Sequence, residues 1–253
     1  RVLSKLSDES DRELFAMLAL EFTNVKEEMD VRRYCMNEAS KRGIQLTVEA
    51  QNDLQKKLLQ IAASDGYHYA ISLFTSISVK EKELAITWLG KGLIQVNDVE
   101  HFYPGLYHYL QPSTGTIDAN QMWCLDYFNK YKKAKIADHY DEDVAKIIEE
   151  RNGTPVKFNN WYQKFHTTNN ILNNRGDIEV FYWIDGLGVD WIPLIAYLVE
   201  QKMSEKVFLN DAMIARAVLP TKTDINKENL MKLIKGNVTL EKIGDIDQME
   251  HKK

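Results

Sequence analysis

The sequence predicts a chain of two parts, an all-helical region over residues 1–150 and an α/β region over residues 151–253. In the first part, apolar residues recur at the three- and four-residue spacing of amphipathic helices. In the second part, the short run of residues 180–184 is apolar and aromatic, which is typical of a strand buried on both faces. This run leads into Asp185, a glycine turn and then a helical pattern. Strand, turn and helix in that order are typical of an open α/β sheet.

The composition is that of a soluble globular protein, with 44% hydrophobic and 27% charged residues. The net charge is −5, so the chain as a whole has no attraction for nucleic acid. No apolar run approaches the length of a membrane span, and we expect no membrane partner. The two cysteines, Cys35 and Cys124, are far apart in the sequence. That pattern favours a reducing compartment, so we expect a cytoplasmic protein.

The helices of the first region have recognisable start and stop signals. Residues 47–65 carry an apolar face and are followed by Gly66, a residue that commonly ends a helix. Ser78-Val-Lys-Glu81 forms a capping box ahead of the next apolar stripe. A long helix is predicted over residues 117–137 and a short one over residues 141–150. Both continue the all-helical pattern.

The long helix ends in the basic run Lys130-Tyr-Lys-Lys-Ala-Lys135. Cations at this position are favoured by the helix dipole, which is the structural interpretation. A contact with nucleic acid is the alternative, since basic and aromatic residues alternate there. The acidic net charge does not indicate DNA as a partner. His101 and His108 lack further ligands at a metal-binding spacing and are interpreted as packing or surface residues.

The second region predicts a crossover unit. The strand at residues 178–184 is followed by a helix from Asp190, and residues 212–219 are predicted to form a second strand. The pattern of this second segment alone does not separate strand from helix, but its place after a strand and a helix favours a strand. A helix is predicted over residues 227–234. We therefore expect residues 178–184 and 212–219 to pair in parallel.

Such a pairing would place the two turns at one edge of the sheet, with Asp185 and Thr223 facing one crevice. Asp185 is a suitable ligand for a hard metal ion. Thr223 stands at a predicted helix start, which favours an anion, and a metal-bound hydroxyl there can act as a nucleophile. Lys222 could add charge, and Asn226 could donate its amide to a phosphate oxygen. The structural alternative is a turn-forming aspartate and a helix-capping threonine.

Two segments resemble the alkaline-phosphatase superfamily: Ile184-Asp-Gly-Leu-Gly-Val-Asp-Trp191 and Leu219-Pro-Thr-Lys-Thr-Asp-Ile-Asn226. Nucleotide pyrophosphatases/phosphodiesterases have similar Asp-Gly and Pro-Thr-Lys-Thr turns. The closer resemblance is to the PglZ family, phosphatases of bacterial BREX phage-defence systems. Residues 159–165 and 243–251 are also similar to that family, and the specific similarity covers residues 120–253.

The resemblance implies that residues 151–253 are the N-terminal part of an alkaline-phosphatase-like PglZ domain. It implies a phosphate-ester substrate, divalent Zn, Mn or Mg, and a phospho-threonine intermediate. Asp185 would bind the metal, Thr223 would be both metal ligand and nucleophile, and Lys222 and Asn226 would bind the substrate. Other phage-defence proteins are the implied partners.

The superfamily's further Asp and His ligands follow the nucleophile, whereas here His251 is the single histidine after Thr223. The chain also begins at Arg1 without a signal-peptide core. We therefore expect a fragment of a longer protein, with an incomplete metal site and no activity on its own. Two alternatives remain open: a non-catalytic scaffold with a vestigial phosphatase fold, and a metal-dependent phosphodiesterase or nuclease.

Overall fold

The computed structural model describes residues 31, 34–35, 41, 48–76, 78–117, 121–172, 180–184, 186–203, 206–232 and 239–243. Most of these residues are helical, which confirms the expectation of a helix-rich chain. No helix in the described ranges is both long and apolar enough to cross a membrane. An alkaline-phosphatase-like α/β domain stays a prediction.

The described helices follow one another with short connections. In chain order they are α1 (Val48–Asp65), α2 (Tyr67–Ser72), α3 (Val79–Gly90), a 3₁₀ turn (Val96–Val99), α4 (Pro104–Leu110), α5 (Trp123–Ala137), α6 (Glu142–Asn152), α7 (Pro155–Tyr162), α8 (Thr168–Leu172), a second 3₁₀ turn (Val189–Trp191), α9 (Ile192–Met203) and α10 (Thr223–Met231). The two described strands are β1 (Val180–Ile184) and β2 (Thr239–Ile243).

The chain divides into two compact units. The first consists of Arg1–His108 and Ala134–His139, and the second of Tyr109–Lys133 and Tyr140–Lys253. The division therefore assigns part of α5 to each unit. The functional assignment of residues 1–150 and 151–253 to two domains stays a prediction.

The first unit has an aromatic core. Phe74 lies 5.2 Å from Trp88 and 5.3 Å from Phe102, measured between ring centroids, and all three side chains are buried. Gly90, at the end of α3, approaches the α5 backbone so closely that an added Cβ would lie 2.7 Å from the carbonyl oxygen of Ile136. A side chain at position 90 would therefore force these two backbones apart.

The α3 helix begins as the sequence predicts. The Ser78 side chain accepts a hydrogen bond from the backbone N–H of Glu81, which caps the helix. The buried Glu81 carboxylate binds the backbone and hydroxyl of Thr75 at 3.0 and 2.8 Å. The same glutamate therefore joins the helix start to the preceding loop.

The core of the second unit joins α5 to two later segments. Its buried members are Cys124, Leu125, Phe165 and Ile214. Phe165 follows α7, and Ile214 belongs to the extended segment that precedes α10. Packing against this core holds that segment in place, although it is not part of a regular sheet.

The strand predicted over residues 178–184 is confirmed as β1 for its described residues. Its partner differs from the prediction: β1 pairs in parallel with β2, with Val180 opposite Thr239 and Ile184 opposite Ile243. The predicted strand at residues 212–219, and its pairing with residues 178–184, are therefore wrong. That segment forms only isolated bridges, at Met213 and Arg216.

The reason lies in where the backbone of residues 212–219 finds its hydrogen bonds. Thr116 donates its N–H to the Ala212 carbonyl at 2.6 Å and accepts from the Ile214 N–H at 3.3 Å. The Arg216 N–H donates to the His166 carbonyl at 2.9 Å. The Tyr162 hydroxyl donates to the carbonyl of Ala217. The segment is thus held by several neighbours along its length, and no continuous ladder forms.

Candidate functional site

A cavity of about 260 Å³ lies at the start of α10 in the second unit. It contains three of the four residues that the sequence singled out: Lys222, Thr223 and Asn226. The remaining lining residues come from α8, β1, the extended segment and α10: Thr168, Asn169, Trp183, Ala215, Ala217, Val218, Thr221 and Asn229. We call this space the Thr223 cavity.

The Thr223 cavity is shaped by a loop whose conformation Asn226 maintains. The Asn226 side chain accepts from the Val218 N–H at 2.7 Å. Its amide group donates to the carbonyls of Val218 at 3.1 Å and Lys222 at 3.0 Å. Both amide hydrogens therefore bind the backbone. Phosphate binding by Asn226 stays a prediction; the observed contacts position the loop.

Thr223 is the first residue of α10 and so stands at a helix start, although the helix predicted over residues 227–234 begins earlier than expected; its side chain is half-buried. Lys222 precedes the helix, is exposed, and accepts the N–H of Asn226 on its carbonyl at 3.1 Å. The first N–H groups of a helix lack intrahelical acceptors, and the dipole adds partial positive charge there. The ammonium group of Lys222 adds a full charge. This end of the cavity is therefore suited to an anion.

Trp183 of β1 also lines the Thr223 cavity. Its indole Nε1 is buried and has no hydrogen-bond acceptor among the described residues. A buried donor without an acceptor is costly unless a ligand or water supplies one. Trp183 stands two positions before Asp185 in the sequence, and Asp185 itself lies outside the described residues.

The described lining does not fit a divalent metal. It offers threonine hydroxyls and asparagine amides but no carboxylate, imidazole or thiolate, whereas hard divalent cations are bound mainly by carboxylates. Across the described ranges, no group of three or more His, Cys, Asp or Glu residues could hold a metal ion. The assignments of Asp185 and Thr223 as metal ligands stay predictions.

A second polar group in the same unit is sealed inside the protein. We call it the Asp190 cluster; it consists of Tyr109, Lys132 and Asp190, which are 6%, 1% and 5% exposed. The Tyr109 hydroxyl donates to Asp190 Oδ2 at 2.8 Å, and Lys132 Nζ donates to the Gln111 carbonyl at 2.5 Å. Lys132 Nζ lies 5.9 Å from the centroid of the Tyr109 ring. Trp191 also packs on Tyr109, with a distance of 4.9 Å between the two ring centroids.

Burial dominates the protonation of this cluster. It lowers the pKa of Lys132 to about 8, although the negative charge of Asp190 opposes the change. Burial also raises the pKa of Tyr109, and the hydrogen bond to Asp190 raises it further. The tyrosine therefore stays a neutral donor throughout the physiological range.

The glycines of the Asp-Gly-Leu-Gly motif are explained by local geometry. Gly186 has a φ of +79°, a conformation that side chains disfavour. A Cβ added at Gly188 would lie 2.5 Å from Asp190 Oδ1. Gly188 therefore leaves room for the Asp190 carboxylate. The downstream part of the motif thus has a structural role, which the resemblance does not predict.

Some lysines of the basic run at the end of α5 already make contacts within the fold. Lys130 contacts Asp126 at 3.0 Å and Asp143 at 4.0 Å, and this pairing raises its pKa. Lys132 is buried. Contact with nucleic acid stays a prediction, but Lys130 and Lys132 already have partners inside the unit.

The Asp190 cluster and the contribution of Trp183 are not predicted by the sequence. The sequence pattern indicates only a helix start at Asp190 and a basic run at Lys132. Lys132 stands among the aromatic residues of α5, but lysines are rarely fully buried, so this position gives no sequence signal for its burial. Nothing in the sequence indicates that Trp183 would meet α10.

Comparison with known proteins finds no matching family model, curated protein or solved structure. The function proposed for this chain therefore rests on its motifs and on the geometry of the second unit.

Proposed function

We propose that the chain carries part of a metal-dependent phosphate-ester hydrolase of the PglZ type, with Thr223 as the nucleophile. One observation carries the proposal: Thr223 and Lys222 line one cavity at the N-terminus of α10. Phosphoryl transfer needs a positioned hydroxyl and positive charge near the phosphate oxygens. The two residues and the helix start supply these features together.

The buried Nε1 of Trp183 supports an acceptor-rich ligand in the same cavity. A phosphate oxygen would satisfy this donor, and the Asn226 contacts would keep the loop in the shape that meets the ligand. Lys222 binds phosphate as a point charge, which requires no fixed geometry.

In the proposed reaction, Thr223 Oγ1 attacks the phosphorus atom while the bond from phosphorus to the leaving oxygen breaks. The proton of the hydroxyl passes to solvent, and the leaving alcohol takes one up. Water then attacks the phospho-threonine, which releases inorganic phosphate and restores the hydroxyl. Divalent metal belongs to the proposal through the resemblance alone, and no step above is assigned to it.

The cellular setting is also part of the proposal. The resemblance to the PglZ family implies a cytoplasmic phage-defence system and contacts with other defence proteins. The alternatives, a vestigial phosphatase fold acting as a scaffold and a phosphodiesterase or nuclease, differ from it in the reaction that the cavity performs.

The test is hydrolysis of p-nitrophenyl phosphate and bis-p-nitrophenyl phosphate with Mg²⁺, Mn²⁺ or Zn²⁺, by the natural protein in which this sequence occurs. Thr223→Ala should lower turnover by at least about 10³-fold, because it removes the nucleophile. The matched variant is Thr221→Ala, which removes a hydroxyl from the same cavity. It should lower turnover by less than about tenfold.

Equal losses in the two variants would contradict the assignment of Thr223. A protein without activity on either substrate would favour the scaffold, and a preference for the diester would favour the phosphodiesterase. The 253-residue chain is assayed in parallel, and we expect no turnover from it.

A further inference from the structure

A second cavity, of about 270 Å³, lies among α5, α6 and α7, within the second unit and distinct from the Thr223 cavity. We call it the aromatic cavity. Its walls are mainly apolar: Trp123, Tyr127, Phe128, Ile147, Ile148 and Trp161. Ile148 is 43% exposed, so the apolar lining reaches the surface. Small-molecule sites commonly combine such walls with a few polar groups.

The two tryptophans form a rigid corner. Their ring centroids lie 5.2 Å apart, and the ring planes are inclined at 79°. Trp123 Nε1 donates to Gln121 at 2.9 Å, and Trp161 Nε1 donates to Asn152 at 3.1 Å. Because both indole N–H groups are satisfied, the rings are held in place and offer apolar surface to a ligand. A planar ring can stack on one indole and meet the edge of the other.

One cation lines this apolar space. The Arg151 guanidinium carbon lies 4.7 Å from the centroid of the Trp123 ring. Among the described residues, the Arg151 guanidinium has no carboxylate at ion-pair distance and no hydrogen-bond acceptor. Its N–H fork is therefore available, and this fork matches a carboxylate in a bidentate arrangement.

The charges near the cavity favour a small anion over a nucleic acid. The helix that carries Arg151 also carries Asp143, Glu149 and Glu150, all exposed. These carboxylates would repel a phosphate backbone, which needs several cations along its path. A ligand with a single negative charge needs only Arg151. A cationic ligand would be repelled by the guanidinium that already lies on Trp123.

The geometry points to a binding site for a small planar aromatic carboxylate, with its ring in the corner of Trp123 and Trp161 and its carboxylate on Arg151. Burial raises the pKa of the neighbouring Cys124 to about 11, so the thiol stays neutral and adds no competing charge. The site is independent of the proposed hydrolase, because none of its lining residues belongs to the Thr223 cavity.

The test compares three probes that share the naphthalene ring system and differ in charge: 2-naphthoate, 2-naphthalenemethanol and 2-naphthylmethylamine. Binding to the full chain is measured by isothermal titration calorimetry. We expect 2-naphthoate to bind with a Kd below about 1 mM, and at least about tenfold tighter than the alcohol. The amine should bind weakest. Equal affinity for the three probes, or no binding of 2-naphthoate, would overturn the proposal without any variant.

Variants then locate the site. Arg151→Met keeps the apolar stem, and it should weaken 2-naphthoate at least about tenfold while leaving the alcohol unchanged. Lys146→Met is the control, because it removes one exposed cation from the same helix outside the cavity. Circular dichroism checks that both variants fold. Equal weakening by the two variants would assign the effect to net charge and reject the site.

Discussion

The Thr223 cavity and the Asp190 cluster are both polar, and both belong to the second unit, but they use their polar groups in opposite ways. In the Asp190 cluster, Tyr109, Lys132 and Asp190 are almost inaccessible to solvent. In the Thr223 cavity, Lys222 is exposed and the Trp183 donor has no acceptor in the described ranges. Satisfied and buried groups stabilise a fold, whereas accessible groups that line a space can act on a ligand.

This difference in accessibility distinguishes residues that only resemble a catalytic set from residues that a substrate can reach. The Asp190 cluster has a lysine of lowered pKa and a tyrosine of raised pKa, features that are common at active sites. It nevertheless lines neither of the two cavities described above. We therefore interpret it as a structural element. Four predictions test this contrast through the free energy of unfolding.

The largest effect is expected for Asp190→Ala. The substitution leaves the Tyr109 hydroxyl and the Lys132 ammonium group buried without their anionic partner. Removing one member of a buried charged group costs about 3–5 kcal/mol. Urea unfolding at pH 7, followed by tryptophan fluorescence, measures the loss. Asp190→Asn keeps an acceptor for Tyr109 and should cost less. A change below about 1 kcal/mol for Asp190→Ala would contradict a structural role.

The next effect is a dependence of stability on pH that originates in Lys132. The folded pKa of about 8 lies below the ordinary value of 10.5, so between these values the unfolded state binds more protons. The free energy of unfolding therefore rises with pH in this window. The full rise corresponds to about 3 kcal/mol, and it is lost as the pH falls through about 8.

Lys132→Met should remove this rise, and Lys133→Met, an exposed neighbour on the same helix, should keep it. The raised pKa values of Tyr109 and Cys124 make the free energy of unfolding fall with rising pH, which opposes the effect of Lys132. Comparing each variant with the wild type cancels these two contributions. Urea unfolding between pH 7 and pH 10 is the measurement. Parallel curves for all three proteins would show that Lys132 is not buried as described.

A smaller effect is expected for Asn226→Ala. The substitution leaves the N–H and the carbonyl of Val218 without their partners on Asn226, so we expect a loss of about 1–3 kcal/mol. Asn229→Ala is the matched control on the same helix and cavity, and the Asn229 side chain makes no hydrogen bond among the described residues. It should change stability by less than about 0.5 kcal/mol. Similar losses of unfolding free energy in the two variants would contradict a loop-positioning role for Asn226.

Local structure could be predicted where the deciding contacts are close in sequence. The Ser78 cap, the β1 run and the start of α10 all depend on neighbours within a few residues. For the same reason Lys222 and Thr223 were expected at one site: they are adjacent in one turn. Periodicity and capping residues carry this information directly.

Long-range pairing could not be predicted, because nothing in a segment's own pattern identifies its partner. Residues 212–219 are apolar enough for a strand, yet Thr116 and His166 take their backbone hydrogen bonds. The strand β2 was missed because Thr239–Ile243 mixes charged and apolar residues. The contact between Tyr109 and Asp190 likewise joins segments that are distant in sequence. Tertiary context decides all three.

The smallest effect is expected for Thr223→Ala, and it separates the functional interpretation of this residue from the structural one. If Thr223 were a helix cap, its loss would cost about 1 kcal/mol, as capping threonines usually do. Thr154 provides the reference, since its side chain caps α7 by accepting from the Lys157 N–H at 3.2 Å. Thr223 instead occupies the first position inside α10.

We therefore expect Thr154→Ala to cost about 1 kcal/mol. Thr223→Ala should cost less than Thr154→Ala, because Thr223 is inside the helix and not its N-cap, and alanine is the better helix former. Thermal and urea unfolding of the two variants, measured side by side, provide the comparison. Equal losses would mean that Thr223 stabilises the helix as Thr154 does, and a fall in hydrolysis on Thr223→Ala could then result from a loosened α10. A stable Thr223→Ala variant that fails to hydrolyse the ester leaves the hydroxyl itself as the group that the reaction needs.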